Sequence, residues 1–303
     1  MKGPLLWVGS KVQDIPYFLP WVGRIEGRYI EPFVGGGALF WQLEKKSQCF
    51  LGDVNADLMG FYRHLRDDYA GLREVIGGIK EEFDSKDEKG RKEVFLRLRG
   101  MYNRGDFSVY GREVLWYVVL RMGYKGLPRK NRDGSINTGF GNGRDFVESI
   151  TRYQSDLLKG AELRCESWEW VKGMDLNRYD FVFLDPPYWG TWGEYGSGVT
   201  QKDIERIYGD IAGFMKATKA RVMVVSNDVE DVDSLLGEFK VLDYERRVQI
   251  SMVSRNMSYG VYINYYDDAR EAYREQVKRR EARRREIRES IIKNQLRRNY
   301  DTE

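Results

Sequence analysis

The stretch Phe181-Val182-Phe183-Leu184-Asp185-Pro186-Pro187-Tyr188 (FVFLDPPY, residues 181–188) runs four apolar residues straight into a carboxylate, two prolines and an aromatic ring. Four apolar residues without alternation predict a strand covered on both faces, as in a sheet flanked by helices. Proline donates no backbone hydrogen bond, so regular pairing must stop at Pro186, and two fixed φ angles make the following loop rigid. Such a loop can hold the Asp185 carboxylate and the Pro186 carbonyl together as acceptors. Two adjacent acceptors suit an exocyclic amino group: bonds to both of its hydrogens draw the nitrogen lone pair out of ring conjugation and aim it at an electrophilic methyl group. Tyr188 offers a ring face for a base to stack on. A base reaches such a pocket only when it is flipped out of a duplex or already single-stranded.

Working outward, comparable runs occur in YIEPFV (29–34), CFLGD (49–53), RVMVVSN (221–227) and YGVYINYY (259–266). Alternating with helical patterns, they predict an α/β fold with a doubly wound, Rossmann-like sheet. Residues 60–122 read as helices and 127–140 as a hairpin turning at Asp133-Gly134, which together form an insertion. The expected organisation is a catalytic domain of residues 1–59 and 149–266, an inserted helical plus β-hairpin domain at 60–148, and a charged C-terminal helix at 267–303. That helix, with KRREARRREIR at its centre, pairs Glu275 with Arg279, Glu281 with Arg285 and Glu289 with Lys293 at i, i+4. A solvated, self-stabilised helix follows, whose basic centre could also touch phosphates.

Composition sets the bounds. The 303 residues are 42% apolar and 14% aromatic, enough for a packed core, and the 32% charged residues nearly balance at a net +3. With a pI near 8.6, nucleic acid is permitted but not required. Cys49 and Cys165 stand far apart and His64 is the single histidine, so a zinc site or a histidine-based triad lacks material. A reduced, cytoplasmic protein without metal is expected. No run is long enough to cross a bilayer, and GPLLWVG is too short for a signal-peptide core.

Gly35, Gly36 and Gly37 follow the first strand and precede ALFWQLEKK, which reads as a helix; an ordinary tight turn and a backbone cradle for a ligand at a helix N-terminus fit the glycines equally. Asp53, ending the second strand, favours the ligand, because an acidic residue there can accept from both hydroxyls of a ribose. The glycine spacing is not G-x-G-x-x-G, which disfavours NAD.

Together these segments resemble the DNA adenine-N6 methyltransferases of the Dam type, the alpha class of the D12 family. Trp7-Val8-Gly9-Ser10-Lys11 resembles the W-x-G-x-K start, EPFVGGGALF the glycine-rich motif, DVNADL the ribose motif and DPPY the catalytic loop. GYKGLPR resembles G-Y-N-G-L-x-R, and INTGFG resembles F-N-x-P-F-G, so the likeness runs from Trp7 to about Asp228. It implies a sheet of the S-adenosylmethionine-dependent methyltransferase type, S-adenosyl-L-methionine as methyl donor, double-stranded DNA as substrate, and direct transfer to adenine N6 without metal or covalent intermediate. Carried over by position, Asp185, Pro186, Pro187 and Tyr188 would be catalytic. Trp7, Lys11, Phe33, Gly35, Gly37, Asp53 and Asp185 would contact the donor, with Lys11 chemically apt for its carboxylate. Tyr124, Lys125, Leu127, Arg129 and Asn137 would face DNA, with Tyr124 stacking into the opened duplex and Arg129 reaching a guanine edge. For Tyr124 a packed aromatic, and for Arg129 a phosphate contact, are the plainer readings. The pattern departs at Lys125, where GATC-modifying members carry asparagine, and at Gly139, where they carry proline, which leaves the target sequence open. So are a cognate restriction enzyme as partner and the oligomeric state. Methylation of another amino group, cytosine N4 or protein glutamine, and an inactive DNA-binding regulator are the alternative functions.

Overall fold

In the computed structural model, seven strands form a single sheet in the order β3-β2-β1-β4-β5-β7-β6. The structure describes residues 3–7, 9–43, 48–126, 129–131, 133–141, 149–189, 200–250 and 253–267, with 271, 274, 275, 278, 279 and 282 beyond. The strands are β1 (Tyr29–Glu31), β2 (Cys49–Gly52), β3 (Ala161–Arg164), β4 (Phe181–Leu184), β5 (Arg221–Asn227), β6 (Lys240–Ile250) and β7 (Val253–Ile263). β1 to β5 run parallel, and β7 enters antiparallel between β5 and β6. This is the α/β sheet expected.

Side chains of β4 divide by period two. Phe181 and Phe183 pack into one core with Tyr29, Leu51, Met223 and Val225, while Val182 and Leu184 pack into a second core with Ile30, Phe50, Val222 and Val224. Helices α1 (Ile15–Val22), α2 (Ala56–Asp67), α3 (Tyr69–Asp84), α4 (Glu88–Arg104), α5 (Arg112–Met122) and α6 (Arg152–Lys159) contribute to the first core. α7 (Gln201–Ala217), α8 (Glu230–Leu236) and a 3-10 segment, Trp168–Gly173, cover the other face. α5 is buried on nearly all sides from Val114 to Met122, so the helices after residue 60 share a continuous core with the sheet. Among the described residues no helix is long and apolar enough to cross a membrane.

Several expectations need correction. After the glycines, residues 38–43 form turns and not a helix, with Trp41 N bonding Gly37 O at 3.0 Å but Gln42 N turning back to Leu39 O at 2.9 Å. Gly35 and Gly37 take positive φ, which bends the chain before a helix can start. The expected strand at 259–266 instead spans Val253–Ile263, because β6 pairs with it as far as Ile250 opposite Val253. Neither β3 nor β6 was anticipated. β3 is a short edge strand reading AELR, and β6 carries charges through KVLDYERRVQI, a composition that an outer strand tolerates. The hairpin expected at 127–140 is reduced to two isolated antiparallel bridges, Lys130 with Ile136 and Gly123 with Phe140, around a turn in which Asn131 N bonds Ser135 O at 2.8 Å. Glu275 pairs with Lys278 at 3.0 Å, and Arg279 adds to the charge that lowers its carboxyl below the usual range. The other expected pairs of the C-terminal helix lie outside the described residues.

Candidate active site

The carboxyl edge of the parallel strands is where the chain leaves the sheet at Glu31, Asp53, Asp185 and Asn227. Over it packs a 3-10 turn, Lys11–Gln13, that leads into α1. Lys11 is only 2% exposed, and its ammonium donates to both oxygens of Asp185, at 2.5 and 2.7 Å, and to the Gly9 carbonyl at 3.1 Å. All three of its protons have acceptors. Burying an ion pair costs several kcal/mol per ion before attraction repays it, so a packed apolar pair would serve stability as well. Burial pushes the Asp185 carboxyl above its usual range, and Lys11 opposes that shift. Its charge and its hydrogen bonds favour the ionised form.

Pro186 is buried behind the carboxylate, and Tyr188 is buried with Lys11 Nζ 4.6 Å from its ring centroid. The ring also meets Tyr259 edge-on at 5.8 Å. Tyr259 stacks on Tyr244, which stacks on Tyr17 at 4.4 Å. Beneath this aromatic row Asp14 is fully buried, with Arg246 Nε 2.8 Å away. Burial raises the Asp14 carboxyl against the opposing charges of Arg246 and Lys11. The loop's exit is pinned from β5. Asn227 accepts from Trp189 N at 3.1 Å and donates to Trp189 O at 3.0 Å, while Ser226 bonds the same amide oxygen and Tyr208.

On the neighbouring strands, Asp53 lies beyond β2 and accepts from Gly35 N at 3.1 Å and Asn55 N at 2.9 Å. Burial raises its carboxyl to about 6, against the pull of those backbone donors. Val54 is a third backbone donor to the carboxylate, which keeps acceptor capacity for a further hydroxyl. Phe33 is partly buried and stacks on Trp168 at 6.0 Å. The glycines have a second explanation. A Cβ on Gly35 would strike the Trp7 indole at 2.6 Å, one on Gly36 the Trp7 Cβ at 2.7 Å, and one on Gly37 the Trp41 indole at 2.7 Å. Trp7 thus seats on the glycine turn that also supports Asp53. Of the donor residues expected from sequence, Trp7 and Asp53 both meet Gly35, Phe33 packs on Trp168, and Lys11 is paired with Asp185.

Tyr124, Arg129 and Asn137 are all exposed on the segment after α5. Their backbones are fixed: Tyr124 N bonds Gly139 O at 2.9 Å, Arg129 N bonds Thr138 Oγ1 at 2.9 Å, and Asn137 N bonds Arg129 O at 2.8 Å. A Cβ on Gly139 would meet nothing within 4 Å, so space alone does not demand glycine there. Lys125 lies in a 3-10 turn, Tyr124–Gly126, with its side chain outside the described residues, as is Leu127 altogether. Asp14, Arg246 and Asn227 were not anticipated. Only Asn227 left a signal, a polar pair closing an apolar run in RVMVVSN.

The sequence profile described as D12 class N6 adenine-specific DNA methyltransferase matches residues 7–250 of the chain. Type II methyltransferase M.MjaIII of Methanocaldococcus jannaschii is 35% identical over 203 residues, covering 62% of this chain and 69% of that protein. Type II methyltransferase M.CviBI of Paramecium bursaria Chlorella virus NC1A is 26% identical over 260 residues, covering 84% and 94%. The DNA adenine methylase of Vibrio cholerae is 30% identical over 192 residues, covering 61% of this chain and 64% of that protein.

Proposed function

The chain belongs to the D12 class of N6 adenine-specific DNA methyltransferases, and from that premise we propose that it methylates N6 of an adenine flipped out of duplex DNA, with S-adenosyl-L-methionine as donor and Asp185 as the central acceptor. Membership in the class favours adenine over cytosine N4 and protein glutamine. The observation that carries the assignment of Asp185 is its clamp: a carboxylate at the end of β4, held at both oxygens by the buried Lys11.

When bound, the donor supplies a methyl group made electrophilic by its sulfonium. Asp53 would hold the ribose hydroxyls, supported by Gly35 N and Asn55 N. Trp7, Gly35, Gly37 and Phe33 would shape the adjoining wall. The fit rests on the remaining acceptor capacity of Asp53 and on the glycine turn beneath Trp7.

Toward the substrate, Asp185 and the Pro186 carbonyl would each accept one hydrogen of the adenine amino group. The lone pair then lies out of ring conjugation, free to attack. The Lys11 ammonium favours the ionised form of Asp185, the form that accepts and does not donate. Lys11 takes one acceptor direction on each oxygen of Asp185, and the adenine amino group would take one of those that remain. Tyr188, its ring fixed by Tyr259, would flank the base. Asn227 holds the loop at Trp189, so the acceptors do not drift. Residues 60–148 would choose the site, with Tyr124 in the opened duplex and Arg129 and Asn137 at base edges.

Modification-sensitive sequencing of DNA from cells expressing the protein tests the whole reading. N6-methyladenine confined to one sequence context is expected, absent when Asp185→Ala replaces the wild type. Methylation on another base, or none with intact donor binding, would overturn it.

A further inference from the structure

Asn103 belongs to none of the motifs above and touches no donor or acceptor residue. Its side-chain amide makes the two hydrogen bonds that a neighbouring strand would make: Nδ2 donates to the Ile136 carbonyl at 2.9 Å, and Oδ1 accepts from the Ile136 amide at 2.8 Å. Arg99, one helical turn earlier, donates to the Thr138 carbonyl at 2.6 Å. Ile136 and Thr138 are buried, so the last turns of α4 grip the inner run of the recognition segment at alternate residues. The outer run hangs from it. Arg129 is held by Thr138 Oγ1 through its amide and by the Asn137 amide through its carbonyl, and its side chain is left exposed.

The preceding residue binds the other site. Tyr102 donates its hydroxyl to Asp57 Oδ2 at 2.6 Å, and Arg112 donates to Asp57 Oδ1, also at 2.6 Å. Asp57 sits in the first turn of α2, capped by Asn55, whose own amide donates to Asp53. Successive residues of one helix therefore hold the donor loop and the base-reading segment. A rigid helix turn bonded at both sides cannot follow a shift at one without loading the other.

We infer that Asn103 is a specificity-positioning residue, and that Tyr102 and Asn103 together couple donor binding to base reading. The inference rests on the proposed reading of Arg129 as a base contact. Asn103 sets the register of Ile136, and through residues 137 and 138 it sets where the Arg129 guanidinium can reach. Loss of its amide leaves the reaction centre untouched and blurs the choice of site. Because coupling is reciprocal, whatever factor cognate DNA adds to donor affinity, the donor adds to cognate DNA affinity.

The test uses the full chain with Asn103→Ala, Tyr102→Phe and Arg129→Ala, on the cognate duplex and on duplexes with one base pair changed. Asn103→Ala is expected to lose about tenfold in kcat/KM discrimination, at the base pair where Arg129→Ala loses it, with kcat on saturating cognate DNA within about threefold of wild type. Tyr102→Phe, which keeps the ring, is expected to shrink the factor by which cognate DNA tightens binding of S-adenosyl-L-homocysteine, measured by calorimetry, with its affinity for the free protein retained. Unchanged discrimination in Asn103→Ala overturns the inference, as does a joint fall of kcat, discrimination and S-adenosyl-L-homocysteine affinity, which marks a loosened fold. Should Asn103→Ala not fold, Tyr102→Phe decides, and an unchanged coupling factor overturns the inference. If Arg129→Ala keeps full discrimination, the reading of Arg129 fails first and the inference with it, a result distinct from Asn103→Ala failing alone.

Discussion

At the edge of the sheet Lys11 and Asp185 meet across 174 residues of chain, Lys11 buried and Asp185 partly so, whereas after α5 the side chain of Arg129 stands exposed on a backbone that is held at both its amide and its carbonyl. Side-chain pairs build the first region, and each depends on the chemical identity of both partners. In the second, side chains from α4 and Thr138 grip main-chain groups, so an exposed side chain such as Arg129 can change without moving the segment. Chemistry and choice of site are thereby separable: substitutions at the sheet edge should stop the reaction on every DNA, and those in the segment should change which DNA reacts.

The hardest test of that separation is Asp185→Ala. Methyl transfer should fall by about 10²- to 10³-fold, the scale on which removing one preorganised hydrogen-bonding group acts, and on cognate and altered duplexes alike. Retained turnover on any duplex would break the comparison at its chemical end. Asn227→Ala removes two hydrogen bonds from the backbone of Trp189 and leaves Asp185 and Lys11 in place. Single-turnover rates should drop about 10- to 100-fold, at roughly 1 kcal/mol or more per bond, again without regard to sequence context. Arg129→Ala should do the reverse, costing about 1 to 3 kcal/mol of discrimination at one guanine while the maximal rate is kept. A uniform loss of affinity with a shallower salt dependence would instead assign Arg129 to phosphate.

A smaller effect sharpens the account of the donor side. The Asp53 carboxyl is raised from 3.8 to about 6 by burial, so between those values the folded chain holds a proton that the unfolded chain has lost. Its contribution to stability therefore declines as pH rises from about 4 to 6, and above that it costs about 3 kcal/mol at most. Asp53→Asn should lose S-adenosyl-L-homocysteine binding. Its melting temperature relative to wild type should climb by a few degrees between pH 4 and 7, the amide's imperfect fit to the backbone donors subtracting from the gain. A difference that stays flat with pH would show that Asp53 is not strained by burial.

Much of the central sheet was legible because β1, β2, β4 and β5 are buried on both faces and write that burial as apolar runs. β3 and β6 lie at the two edges, where one flank meets solvent and charge is tolerated, so AELR and KVLDYERRVQI carry no such signal. The helix expected after Gly37 failed for a different reason. Its apolar pattern was right, since Leu39, Phe40 and Trp41 are buried, yet the positive φ of Gly35 and Gly37 folds the segment as turns packed under two indoles. In the candidate site, residues within motifs could be read from sequence through resemblance and chemistry. Asp14 with Arg246, and Asn103 with Ile136, could not, because those pairs exist only once distant segments are packed together.

Lys11 favours the ionised form of Asp185, which can accept from the adenine amino group. Single-turnover methylation of a cognate duplex, followed against pH for wild type and Lys11→Met, tests it most directly. Without the ammonium, burial acts on Asp185 unopposed and its carboxyl titrates at higher pH. The variant should be slower than wild type, its acid limb displaced to higher pH, with part of the lost rate recovered above the displaced limb. A rate reduced by one constant factor across the whole pH range, with the acid limb unmoved, would contradict the account.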